Sequence, residues 1–223
     1  MTPCPSGADI AGADAALAVL HMDETLLAFD KPAGLLCVPG RGEDKQDCVA
    51  ARAQARWPDA LVVHRLDMAT SGVVLMARGT LAQRQLSTAF AQRETEKTYI
   101  AVVHGQIADD SGEIDLPLAA DWPHRPMQKL DFARGKASLT RYRVLERKLA
   151  SNTTRVELEP ITGRSHQLRV HLLALGHPIL GDTLYAPPMV QAASPRLLLH
   201  ARSLKLAHPS TGTSLSIECP VPF

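Results

Sequence analysis

Two apolar, β-branched runs, Val62-Val63 and Val73-Val74-Leu75, flank a polar knot of His64, Arg65, Asp67, Thr70, Ser71 and Gly72. Runs of this kind predict two short strands that enter a core. A further strand is predicted over residues 25–29, followed by the turn-rich "DKPAGLLCVPGRG". "QDCVAARAQARWP" reads as a short helix that stops before Pro58. Over residues 81–93, Ala82, Leu86, Ala89 and Phe90 recur at helical spacing and predict an amphipathic helix. "KTYIAVVHG" alternates as a strand, with Tyr99, Ala101 and Val103 on one face and Thr98, Ile100 and Val102 on the other. Residues 112–136 are rich in Pro and Gly and read as an extended loop or hairpin arm. "SLTRYRVLER" and "TRVELEP" read as paired strands, and "RLLLHARSLKLAH" and "SLSIECP" as the final ones. A helix is predicted from Ser165, as cap, to Leu175, closed by Gly176 in the left-handed position, with Leu168, Leu172 and Leu175 as its buried stripe. Residues 1–20 are rich in Ala, Gly and Asp and are expected to be a mobile segment. Residues 21–223 then form one domain. Many strands, few helices and no regular βαβ alternation predict an α+β fold around a central mixed, mostly antiparallel sheet.

Composition adds limits. With 223 residues, 45% hydrophobic and 21% charged, the chain is ordinary globular material with enough length to bury a core. Cys4, Cys37, Cys48 and Cys219 are scattered without a CxxC pair, so a reduced, intracellular setting is expected. The first thirty residues hold no Lys or Arg but five acids, unlike a signal peptide. No apolar stretch is long enough to span a membrane. A cytoplasmic protein is the expectation. The 24 basic residues all follow residue 30 and outnumber the 18 acids there. Arg125, Lys129, Arg134, Lys136, Arg141 and Arg143 crowd one stretch against Asp121 and Asp131. That stripe fits either a polyanion partner or a solvated surface.

Asp67 reads in two ways: a turn residue bonding nearby amides, or a carboxylate at the mouth of a cleft kept ionised by an arginine. A second polar knot, "PITGRSHQLRVH", tilts the balance toward a cleft. It opens with Arg164 and sets His166 and Arg169 three residues apart on one helix face, a cationic surface for phosphate or carboxylate. A solvated face would instead favour Lys/Glu pairs. His166 and His171 are five apart with no acid between them, so a zinc-binding HExxH helix is excluded and no metal is expected. No GxxxxGK[ST], GxGxxG or GxSxG occurs, which argues against nucleotide cofactors and serine hydrolases.

"HRLDMATSG", His64 to Gly72, resembles the HRLDxxTSG signature of the RluA family of pseudouridine synthases. "DKPAGLLCVPG" upstream and "GRSHQLRVHLLALGHPILGDTLY" downstream resemble that family's other two signature blocks, in the same order. The resemblance spans residues 20–223. "MATSG", "DLPLAADWPHRPMQK" and "ITGRSHQLRVHLLALGHPILGD" are similar to the RluA subfamily, which modifies both large-subunit ribosomal RNA and a transfer RNA anticodon stem-loop. Lys31 falls too early for an S4 RNA-binding domain ahead of it, as in that subfamily.

The resemblance implies a pseudouridine synthase catalytic fold and a cofactor-free isomerase acting on uridine in RNA stem-loops. It makes Asp67 the aspartate that attacks the nucleoside, so that uracil detaches, rotates and rejoins through carbon. Addition to the ribose and extraction of a proton are both open as its first step. A single carboxylate suits a cation-like sugar, provided water is kept out. No second acid is read in either signature block to activate water, which favours isomerisation over hydrolysis. Arg169 matches the arginine that pairs with the aspartate. Tyr99 matches the tyrosine that stacks on the base and aids proton removal, although a strand tyrosine is also ordinary half-buried packing. Leu168 matches the apolar residue closing the base pocket, and it equally suits the helix's core stripe. Arg65 can reach phosphate or fill the space an everted base leaves. His64 and Arg164 complete the expected substrate contacts. Arg125 and Lys129, beside Trp122 and His124, are expected to clamp RNA, unless the arm is a plain surface loop. The implied partner is structured RNA, with no DNA, no membrane and a monomeric chain.

Overall fold

The computed structural model describes residues 17–223. The mobile segment expected over residues 1–20 lies largely outside them. At its end it is corrected, because Ala18–Met22 forms strand β1. The chain continues through β2 (Leu26–Lys31), α1 (Val49–Arg56), β3 (Ala60–Val62), β4 (Ser71–Arg78), α2 (Gly79–Gln92) and β5 (Glu96–His104). Then follow β6 (Ser111–Asp115), β7 (Leu118–Ala120), β8 (Gln128–Leu130), β9 (Leu139–Lys148) and β10 (Thr153–Pro160). The chain closes with α3 (Gln167–Ala174), α4 (Pro188–Ala192), β11 (Leu199–Ala207) and β12 (Ser214–Glu218).

Ten strands make one sheet in the order β1-β2-β4-β11-β5-β10-β9-β6, with β3 paired to β4 and β12 to β11. Only β4 and β11 pair in parallel, so the sheet is mixed and mostly antiparallel, as the pattern predicts. This pairing brings Ser71 and Gly72 against His200 and Ala201. Gly72 sits at φ 108, and a Cβ there would run into the Ala201 carbonyl. Glycine is therefore what lets the polar knot enter the sheet.

The apolar runs have a direct explanation. Leu27, Phe29, Val74 and Met76 face one core cluster with Val49 and Ala53 of α1. Leu26, Ala28, Val73, Leu75 and Ala77 face the other, with Ala82 and Leu86 of α2 and Ile217 of β12. Strands covered on both faces read as continuous apolar sequence rather than alternating sequence. A third cluster, Ala101, Val103, Val156 and Leu158, lies under Leu168 and Leu172 of α3.

α1 starts where Cys48 Sγ accepts the Ala51 amide at 3.3 Å and stops at Trp57. α3 departs from expectation at both ends. Ser165 is not its cap; His166 occupies that position in a left-handed conformation, φ 53. Gln167 reaches back instead, its Oε1 accepting the Arg164 amide at 3.0 Å and the Thr162 hydroxyl at 2.7 Å. Gly176 does close the helix at φ 88, donating to Leu173 while His177 donates to Leu172. The stripe is corrected as well: Leu175 is exposed, and residues 167–172 are all buried. β7 and β8 form a separate two-stranded ribbon, the hairpin arm. Among the described residues no helix is long and apolar enough to cross a membrane.

Candidate active site

Asp67 lies on the loop from β3 to β4, and that loop is fixed from below. The Lys31 ammonium is wholly buried and donates to the carbonyls of Pro32, Leu35 and Met68 at 2.8, 2.7 and 2.9 Å. Burial pulls its pKa down to about 8, against the nearby Cys37 and Asp67. The Gly34 amide also bonds the Met68 carbonyl at 2.8 Å, and Cys37 Sγ accepts the Leu66 amide at 3.2 Å. The residues on both sides of Asp67 are thereby pinned by bonds within the chain itself.

The Asp67 side chain is about a quarter exposed, at 26%. Arg169 Nη1 stands 3.7 Å from its Oδ2, and His166 Nε2 stands 3.9 Å from its Oδ1. Each carboxylate oxygen faces a donor just beyond hydrogen-bonding distance. Arg169 is itself buried, and its firm partner is Asp182, reached by two bonds of 2.8 and 2.6 Å. Arg169 thus faces Asp67 only as a charge contact, while Asp182 fixes the guanidinium in place. A lone acid at the cleft needs the same amendment. Asp182, in the downstream signature block, is buried and bound on both oxygens, by the Arg169 guanidinium and by the Leu184 and Tyr185 amides.

Tyr99 packs between two core clusters. Burial, then the Asp67 and Cys37 charges, push its phenol well above the usual range, so it stays protonated. Leu168 is buried in the core cluster against which Tyr99 and Ala69 pack. Arg65 is exposed and makes no hydrogen bond or ion pair among the described residues. Arg164 donates twice to the Ala137 carbonyl at 3.3 Å and stays half-exposed.

His64 is placed differently. Its Nε2 accepts the Leu75 amide at 2.9 Å, and its ring stacks on Phe90 at 4.4 Å. Burial lowers its pKa to about 3, so it is a neutral brace for β4. The arm residues contact one another: Arg125 stacks 3.3 Å above the exposed Trp122 ring, and Lys129 Nζ is 3.9 Å from Asp121. The basic stripe divides. Arg141 pairs with Glu113 at 2.8 Å and Arg143 with Glu157 at 2.7 Å, while Arg134 and Lys136 make no ion pair among the described residues. No group of three or more His, Cys, Asp or Glu among the described residues could hold a metal ion.

The sequence and the fold both have counterparts among known proteins. The RNA pseudouridylate synthase family matches residues 25–174. The chain belongs to that family. It is 51% identical over 207 residues to "Dual-specificity RNA pseudouridine synthase RluA" of Escherichia coli K12, covering 93% of this chain and 94% of that protein. The Yersinia pestis protein of the same name is 51% identical over 92% of this chain and 99% of its own. The structure of human RNA Pseudouridylate Synthase Domain Containing 1 superposes with a TM-score of 0.80 at 27% identity, over 100% of this chain and 87% of that one.

Four residues around these groups were not singled out by the sequence reading: Lys31, Lys97, Asp182 and Tyr185. Lys97 lies two residues before Tyr99 on the same face of β5, half-buried, and makes no hydrogen bond or ion pair among the described residues. Burial and Arg93 lower its pKa. Asp182 and Tyr185 sit in "GDTLY", and a signal for them existed there: an acid placed after an apolar run and beside a glycine.

Proposed function

We propose that this pseudouridine synthase isomerises uridines in stem-loops of large-subunit ribosomal RNA and of transfer RNA anticodon arms. The observation that carries the reading is the Asp67 carboxylate, seated on a pinned loop with Arg169 and His166 facing one oxygen each. The relatives named as dual-specificity enzymes support two substrate classes.

In this reading a uridine turns out of its loop into the cleft. Extrusion costs a few kcal/mol and is cheapest where the base is already unpaired, hence the stem-loop. Asp67 attacks the nucleoside, by addition to the anomeric carbon or by extraction of a proton, and the bond from that carbon to N1 breaks. The freed uracil turns and bonds the sugar through C5. The C5 proton is then lost and N1 gains one, so the RNA keeps its mass. Tyr99 and Leu168 wall the base, and the protonated phenol serves as a hydrogen-bonding group rather than a phenolate. Asp182 keeps Arg169 charged and aimed without competing for the substrate. Arg65, Arg164, Arg125 and Lys129 supply cationic contacts to the RNA backbone.

Carbodiimide mapping of total RNA from cells with and without the protein tests this reading. Loss of specific signals in both ribosomal and transfer RNA is expected. Loss in one class alone refutes the dual assignment, and release of free uracil by the purified enzyme refutes isomerisation.

A further inference from the structure

Tyr185 joins the arm to the cleft. Its hydroxyl oxygen accepts the backbone N–H of Gln128, on β8, at 2.8 Å. The same hydroxyl lies 2.6 Å from His166 Nδ1, and the two rings meet edge to face at 5.6 Å. Arg169 lies over the Tyr185 ring at 5.0 Å. At the far side of the imidazole, His166 Nε2 faces Asp67 Oδ1 at 3.9 Å. His166 holds this place in a left-handed backbone conformation, which a residue with a Cβ adopts at a cost.

We propose that Tyr185 and His166 are positioning residues that relay the seating of the arm on RNA to the Asp67 carboxylate. The proposal rests on the reading of Asp67 as the reacting group. The polarity of the relay follows from what each group can donate. The Gln128 amide can only donate, so the tyrosine oxygen receives. The tyrosine O–H then donates to Nδ1, which leaves the imidazole proton on Nε2, aimed at the carboxylate. Bonds in such a chain polarise one another. Burial holds His166 below its ordinary pKa, with Arg169 acting in the same sense and Asp67 and Asp182 opposing it, and the neutral ring is the form this chain requires.

The relay also has room to move. A cavity of about 270 Å³ separates the arm from α3, lined by Met127, Leu130, Val170, Leu173 and Tyr185. An advance of the imidazole by about 1 Å brings Nε2 into hydrogen-bonding range of Asp67. Closure of the arm on a stem-loop would supply it.

Long-range nitrogen–proton NMR on the full chain, with His166 assigned through His166→Gln, reads the tautomer directly. The wild type is expected to carry the proton on Nε2, and a proton on Nδ1 overturns the proposal without any variant. Tyr185→Phe keeps the ring on Arg169 and removes the link. On a synthetic stem-loop carrying the mapped uridine, kcat should fall about fivefold with KM nearly unchanged, the worth of one net hydrogen bond. In an Arg125→Ala, Lys129→Ala background the same substitution should cost less, because the arm no longer drives the relay. Wild-type kcat in Tyr185→Phe, or an equal cost in both backgrounds, overturns the relay. Asp67→Asn separates the two ideas: if it is active, the site reading itself fails, and if it is dead while Tyr185→Phe turns over normally, only the relay fails.

Discussion

Replacing Asp182 by Asn removes the charge that holds Arg169 and leaves the amide-binding shape of the side chain in place. Asp182 and Arg169 are 1% and 3% exposed, so the guanidinium would be left as a buried cation. Two bonds of 2.8 and 2.6 Å to it are altered, while the Leu184 and Tyr185 amides still find an oxygen. Removing one partner of a buried, doubly bonded pair costs about 3–5 kcal/mol. For a chain of this length that is a fall in Tm of about 6–20 °C. The nearest remaining anion is Asp67, 3.7 Å from Nη1. Arg169 is expected to close on it and tie up the carboxylate, so kcat falls while RNA affinity stays. Urea unfolding and single-turnover kinetics on the same preparation measure both effects. A companion variant, Arg169→Met with Asp182→Leu, replaces the pair by apolar bulk. It should recover most of the stability, because such replacements are often neutral, and recover no activity. A loss below about 1 kcal/mol in Asp182→Asn, against the range for buried pairs, or a wild-type kcat, refutes the reasoning.

Three further outcomes are expected. His64 is neutral when folded, with a pKa of about 3 against 6.5 in the unfolded chain. Unfolding therefore takes up a proton between those values, so stability is full above pH 6.5 and falls toward pH 3, by up to about 1.4 kcal/mol per pH unit. His64→Gln should flatten that slope in pH-dependent unfolding, and an unchanged slope contradicts the assignment. Lys97→Ala should weaken stem-loop binding and reduce the salt dependence of log Kd by about one phosphate contact, and an unchanged salt slope removes Lys97 from the RNA surface. Lys31→Met strips three carbonyls of a charged donor and should cost about 3 kcal/mol or more in chemical denaturation, together with kcat. A stable, active Lys31→Met would show that the Asp67 loop is held by other means.

What the chain reveals in advance follows from how local each cause is. The runs in β2 and β4 are legible because both of their faces are buried, and the strand "KTYIAVVHG" because its alternation matches two different surroundings. Asp67 was legible as a paired alternative, turn or cleft, and its own loop shows why: its carbonyl opens a turn to the Thr70 amide between neighbours held by Lys31, Gly34 and Cys37, while its carboxylate faces Arg169 rather than the backbone amides. The start of α3 departs from the reading because Ser165 satisfies a local rule, while the helix opens at His166 and Gln167 ties that opening back to Thr162, Arg164 and Thr140. The basic stripe, open between a polyanion site and a solvated surface, divides for a similar reason. Strand register sets Glu113 opposite Arg141 and Arg143 opposite Glu157, and register does not show in composition. Asp182 lies thirteen residues beyond Arg169, across a helix end and a turn, so nothing local marks it as the arginine's partner.

The central claim is that the Asp67 carboxylate performs the chemistry, and Asp67→Asn on the intact protein tests it most directly. Wild-type enzyme and variant would be incubated with the same stem-loop and read by carbodiimide primer extension and mass spectrometry, with affinity measured in parallel. Unchanged RNA affinity, unchanged RNA mass and no carbon-linked uridine in the variant are the predicted result. Pseudouridine formed at the wild-type rate by Asp67→Asn would contradict the account.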